Sequence, residues 1–144
     1  MTLLPLVGAA ATWYLTGIVW LVQRVNYPLL RSVGAAEFAA YEQAHVRRIG
    51  PVVGPAMLVE GCASLLLTAW RPAYVTAGDA VLGAALVVVT WASTFLLQVP
   101  AHDRLRAGFD AAWHHRLVRS NRIRTAAWTL HSLLATRRLY LGLA

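Results

Sequence analysis

Leu3 to Val22 is a run of 20 residues without a formal charge, and Ala80 to Val99 is another of the same length. As a helix each rises about 30 Å, the thickness of one bilayer core. A third run, Pro51 to Trp70, carries one ionisable side chain, Glu60. Runs of this kind leave a chain few choices, because backbone in lipid must satisfy its own hydrogen bonds, which a helix does. The low charge content agrees: 13% of residues are charged, against about 25% in soluble domains. The expected fold is all-α, a single integral membrane domain over residues 1–144 built as a four-transmembrane-helix bundle.

The expected spans are about 3–23, 51–70, 79–99 and 121–141. The fourth is the weakest, interrupted by Arg124, His131, Arg137 and Arg138. Its last two arginines can snorkel to the surface, and a re-entrant or interfacial segment is the alternative here. Asn26-Tyr27-Pro28, Gly50-Pro51 and Pro100 read as breaks. Between them, about 35–48 and 102–118 read as amphipathic helices lying in the interface. Phe38, Tyr41 and His45 share one face of the first, with Glu37 and Glu42 elsewhere; Phe109, Trp113 and Leu117 share a face of the second. The two halves resemble each other at an offset of 72 residues, Pro28 with Pro100 and Tyr41 with Trp113. A tandem repeat of two helical hairpins produces this; so does chance agreement among apolar residues.

The net charge of +7 comes from arginine alone. Ten arginines (24, 31, 47, 48, 104, 106, 116, 119, 122 and 124) fall on one side of the expected bundle and three (71, 137 and 138) on the other. The positive-inside rule then puts both long loops in the cytoplasm and both termini outside, in a plasma (inner) membrane. Basic charge on such a chain is read as a lipid contact, not as nucleic-acid binding. The bilayer and a hydrophobic small molecule are the expected partners, with a homo-oligomer open. The N-terminal run reads as a retained span, not a cleaved signal. Cys62, the one cysteine, receives no role.

Chemistry is expected where polar groups enter apolar sequence. Glu60 and His131 lie nine and ten residues past Pro51 and Asn121, hence roughly 14 to 15 Å deep. They are expected to meet, as a proton-transfer pair or as a structural hydrogen bond between helices. Arg124 shares a helical stripe with Asn121, Trp128 and His131. It is expected either to hold a carboxylate, phenolate or enolate or to snorkel to lipid phosphate. Gln23 and Gln98 end the odd-numbered spans and can bind substrate or join helices. Tyr27 and Asn121 are added as substrate contacts. Trp13, Trp20, Trp91 and Trp128 are expected to wall the same interior. No tight metal-ligand spacing is present. One set, His45, His102 and Glu60, could still hold a metal ion; the cofactor, if any, is unknown. His114-His115 reads as part of a wet face, and Trp70 and Tyr74 as interface anchors.

The segment Gln98-Val99-Pro100-Ala101-His102-Asp103-Arg104-Leu105, then Trp113 and Asn121-Arg122-Ile123-Arg124-Thr125, resembles the third-to-fourth-span region of the anthrone-oxygenase-like family of small four-helix membrane proteins. His102 stands where that family carries Asn, and the aromatic helix around Tyr41 and His45 also departs from it. The resemblance implies a cofactor-poor oxygenase or other tailoring enzyme acting on aromatic polyketide-like substrates. From the residues alone, the leading expectation is a membrane-embedded enzyme. It would act on a hydrophobic, aromatic or isoprenoid molecule by acid/base chemistry, with Glu60, His131, Arg124, His45 and His102 as the catalytic candidates. A non-catalytic membrane subunit or carrier, or a haem-, quinone- or metal-binding protein, is the alternative.

Overall fold

Proline does not break the helices where the sequence suggests it should. The computed structural model describes residues 3–144 and contains four long helical rods joined by short turns, with no strand among the described residues. The first rod is α1 (Leu3–Leu21), a π turn (Val22–Asn26) and α2 (Tyr27–Leu30); the second is α3 (Phe38–Ala69). The third is α4 (Ala77–Ser93), a second π turn (Thr94–Gln98) and α5 (Val99–Leu105); the fourth is α6 (Ala111–Leu143). The first three rods are long and apolar enough to cross a membrane. The fourth is long but carries six arginines.

Asn26-Tyr27-Pro28 and Pro100 were expected to end spans, yet the chain stays helical through both. Proline lacks the N–H that would reach the carbonyl four residues back, and its ring crowds that carbonyl. A wider turn just before it absorbs the conflict. In the first π turn the Tyr27 N–H donates to the Val22 carbonyl, five residues back. In the second, Val99 does the same to Thr94. The two π turns are 72 residues apart, the offset that relates Pro28 to Pro100.

The separate interfacial helices expected at about 35–48 and 102–118 are not separate. Residues 38–48 are the first turns of α3, which runs on through Pro51 and Pro55. Neighbouring helices let spanning helices tolerate internal proline. Residues 102–105 end α5, and 111–118 begin α6. The break between them is the turn 106–110. Gly108 there has φ 139°, a conformation that residues with a Cβ rarely adopt. Asp110, two residues on, is the N-cap, accepting from the Trp113 N–H at 2.9 Å.

Burial is inverted relative to a soluble bundle. Leu65, Val88 and Leu96 are 65–70% exposed, whereas Glu42, Glu60, Gln98, Asn121 and His131 are buried. An apolar exterior around a polar interior suits a lipid solvent. Two apolar clusters support that interior. Tyr27, Leu30, Phe38, Leu105 and Leu117 pack near the turns at residues 31–37 and 106–110. Leu15, Val19, Met57 and Trp128 pack at mid-height.

At the opposite end, Arg137 is half-exposed and Arg138 turns inward. Arg137 Nη1 donates to both carboxylate oxygens of Asp79 at 2.9 and 2.8 Å, and Arg138 is buried, donating to the Asp79 backbone carbonyl. This ties the end of α6 to the start of α4.

Candidate functional site

The π turns place polar side chains in the interior. Tyr27 comes directly after the first and Gln98 ends the second, and the Tyr27 hydroxyl donates to Gln98 Oε1 at 3.1 Å. Gln98 Nε2 donates to Ser120 Oγ at 2.7 Å, which fixes the amide. One turn along α5, His102 Nε2 lies 2.9 Å from the same Tyr27 hydroxyl. The other ring nitrogen of His102, Nδ1, is bonded to Glu42 Oε1. Glu42 is fully buried, and its second oxygen has no hydrogen-bond partner. His45 lies beside this chain, its ring centroid 5.6 Å from that of His102.

A cavity of about 180 Å³ opens onto Tyr27, His45, Gln98, His102 and Arg124, and its remaining wall is mostly aliphatic. The exposed Asp103 and Arg106, paired at 3.4 Å, stand at its basic end. Arg124 is 9% exposed and lies over the Trp128 ring at 4.9 Å from its centroid. It has no carboxylate partner among the described residues, and its Nε is buried without a hydrogen bond. A buried guanidinium with unused donors facing an apolar cavity is arranged to take an anionic oxygen.

Glu60 and His131 do meet, as their matched depths suggest: His131 Nδ1 is 2.8 Å from Glu60 Oε1, and Trp128 Nε1 donates to Glu60 Oε2 at 2.9 Å. The pair lies apart from the main cavity and borders only a void of about 10 Å³, the size of one water. The set His45, His102 and Glu60 does not assemble. His45 and Glu60 are 15 residues apart on the uninterrupted α3, which separates them by about 22 Å. No group of three metal-ligating side chains forms among the described residues.

The two glutamines were expected as counterparts. Gln98 reaches the cavity. Gln23 instead bridges the first π turn to α6, accepting from Asn121 Nδ2 at 3.0 Å and donating to the Val118 carbonyl at 3.3 Å. Asn121 is therefore a helix bridge as well. The tryptophan wall is also only partly formed. Trp128 lines the cavity and Trp91 packs against the same mid-height cluster. Trp13 and Trp20 are 48% and 45% exposed, their indole N–H groups donating to Thr136 and Thr129 on α6. His114 is not on a wet face: its Nε2 lies 2.7 Å from the Tyr27 carbonyl, left free where α2 ends.

Sequence reasoning missed Glu42. The expected stripe runs through Phe38, Tyr41 and His45, but Tyr41 is 47% exposed while Phe38 and Glu42 are both 0% exposed. Phe38, Glu42, His45 and Ile49 fit the same helical spacing, and an acid among them was the available signal. No family model, curated protein or solved structure matches the chain.

The arrangement has a defined proton chemistry. The Tyr27 hydroxyl has one proton and two neighbours able to accept it, Gln98 Oε1 and His102 Nε2. When it donates to Gln98, His102 Nε2–H must donate to the tyrosine oxygen, and the Nδ1–Glu42 contact holds one further proton. When Nε2 is bare, Glu42 accepts Nδ1–H and fixes that tautomer. Loss of one proton from Nε2, with the tyrosine O–H turning from Gln98 to the ring, converts the first state into the second.

Proposed function

We propose that the chain is a four-span membrane enzyme that removes or relays a proton on a hydrophobic molecule whose polar head enters the cavity. The observation that carries this reading is the buried Glu42–His102–Tyr27 chain ending at a cavity that Arg124, without a carboxylate partner among the described residues, also lines. In this reading an acidic C–H or O–H of the ligand is broken. Its proton passes to the Tyr27 oxygen as the tyrosine proton passes on to His102 Nε2, and the electron pair stays on the ligand as an enolate or phenolate. Arg124 stabilises that oxygen, Gln98 orients the Tyr27 hydroxyl, and Glu42 positions His102.

The cavity is close to the roughly 150 Å³ that holds one benzene ring, and below the ~300–1,000 Å³ of drug-sized sites. A single ring or head group therefore fits, with the apolar remainder extending toward lipid. This suits an aromatic polyketide-like or isoprenoid-tailed substrate. The resemblance of residues 98–125 to the anthrone-oxygenase-like family supports an oxygenation following such a proton loss, O2 giving one oxygen atom to the carbon and the other leaving in water. The ten arginines at the cavity end support a cytoplasmic placement of that end in a plasma membrane, with both termini outside.

The test uses purified protein in detergent, oxygen-free deuterated buffer and an enolisable aromatic ketone such as an anthrone. Mass spectrometry reads deuterium uptake at the acidic carbon. The expected result is exchange accelerated by the protein and lost in His102→Gln and Tyr27→Phe. Ligand binding without accelerated exchange would instead make the protein a carrier.

A further inference from the structure

A second concave site lies on the outer flank of the bundle, where α1 and α6 pack. It is an open groove of about 510 Å³ whose lining includes Trp20, Gln23, Arg24, Val118, Arg122 and Ala126. The Gln23–Asn121 bridge closes the seam beneath it, and Gln23 is absent from the lining of the central cavity. The groove is therefore separate from the site described above.

Its chemistry is graded along its length. Arg24 and Arg122 are exposed, come from different helices, and make no ion pair or hydrogen bond among the described residues. Two guanidinium groups flanking one groove repel each other unless an anion lies between them. Arg24 comes just after the uncharged run Leu3 to Val22, and Arg122 lies at the start of the apolar part of α6. Both thus sit at the boundary of a bilayer core, on the arginine-rich side. One turn inward are Trp20, from Arg24, and Ala126, from Arg122. The Trp20 indole N–H is committed to Thr129 at 3.0 Å, so its ring is held as a flat apolar wall. Cationic at the boundary and apolar one turn deeper, the groove matches a phosphate with an acyl chain below it.

We propose that this groove binds one anionic phospholipid, its phosphate held between Arg24 and Arg122 and an acyl chain laid along Trp20 toward Ala126. The occupant is a lipid and not a free phosphate because the apolar wall continues inward from the two arginines.

The experiment is native mass spectrometry of the full chain in detergent, titrated with phosphatidylglycerol or with phosphatidylcholine of the same chain length. The first phosphatidylglycerol is expected to bind more tightly than phosphatidylcholine. The double variant Arg24→Gln/Arg122→Gln is expected to weaken it about 30-fold, from the roughly fivefold that each basic side chain contributes at an anionic surface. Arg31→Gln/Arg119→Gln removes the same charge from exposed positions outside the groove and is expected to change affinity little. Equal weakening by the two double variants would overturn the proposal, because general surface attraction would then suffice. Equal affinity for the two lipids, or displacement of the bound lipid by millimolar inorganic phosphate, would overturn it as well.

Discussion

Replacing Glu42 by Gln tests the proton chain at the residue that never touches the ligand. The two side chains are nearly isosteric, and Glu42 Oε2 already lacks a partner, so packing around Phe38 and Leu117 is left intact. What changes is the bond to His102 Nδ1. If the amide presents its carbonyl, the tautomer survives but the imidazolium loses its counter-charge. If it presents NH2, the tautomer inverts and Nε2–H points at Tyr27, removing the acceptor. Either outcome makes His102 a poorer base. General-base catalysis contributes about 10²–10⁴-fold, so exchange into the bound ketone should fall on the order of 100-fold, about 2.7 kcal/mol of barrier.

Binding is the control, because Glu42 does not line the cavity. The same ketone, titrated by quenching of Trp128, should bind with nearly unchanged affinity. The ¹⁵N shifts of His102 should move toward the Nε2–H tautomer or toward a neutral ring. Exchange in Glu42→Gln at the wild-type rate, with binding and ¹⁵N shifts also unchanged, would refute the assignment of Glu42 as the group that sets His102.

Two further predictions concern groups on either side of the cavity. Glu60→Ala leaves Trp128 Nε1 and His131 Nδ1 without an acceptor. It should destabilise the bundle by about 2–4 kcal/mol, read from unfolding in a titration with SDS. Glu60→Gln can still accept from Trp128 and donate to a bare His131 Nδ1, and should cost about 1 kcal/mol. Arg124→Met should weaken a carboxylate- or phenolate-headed ligand about 10- to 100-fold, the worth of a charge-assisted bond. A neutral ligand of the same shape should bind as before in calorimetry.

The first three rods were legible in the sequence because a long, nearly uncharged run has one solution in lipid; the fourth, with six arginines, does not carry that signal. Matched depths brought out Glu60 and His131 for the same reason: helix rise is uniform, so residues at equal distances from matched ends meet. The breaks were less legible. A proline in water usually ends a helix, but here Pro51 and Pro55 sit inside a rod, and Pro28 and Pro100 come just after a π turn. Joining α3 across Gly50-Pro51 is also what separates Glu60 from His45 and removes the expected metal set. Which aromatic faces inward could not be read from spacing alone. Trp13 and Trp20 share the period of the interior but find their N–H partners in Thr136 and Thr129 on the outer flank.

The extra residue in each π turn decides where the site can be. A π turn is an α-helix with one residue inserted, so the helix beyond it is rotated by about 100° relative to the helix before it. In the first rod this rotation lets Leu15, Val19 and Val22 pack inward while Tyr27 also points inward. Val25, inside that turn, is 43% exposed, so deleting it removes little core contact. The deletion should close the wide turn into an α-helix and swing Tyr27 away from Gln98 and His102. Helix content by circular dichroism should hold, whereas exchange should fall as far as in Tyr27→Phe. Val25→Ala, which keeps the residue count, should leave exchange at the wild-type rate. If the deletion variant retained both exchange and the His102 ¹⁵N signature, the π turn would be a passive accommodation of Pro28. Tyr27 would then owe its position to packing against Leu30, Leu105 and Leu117 alone.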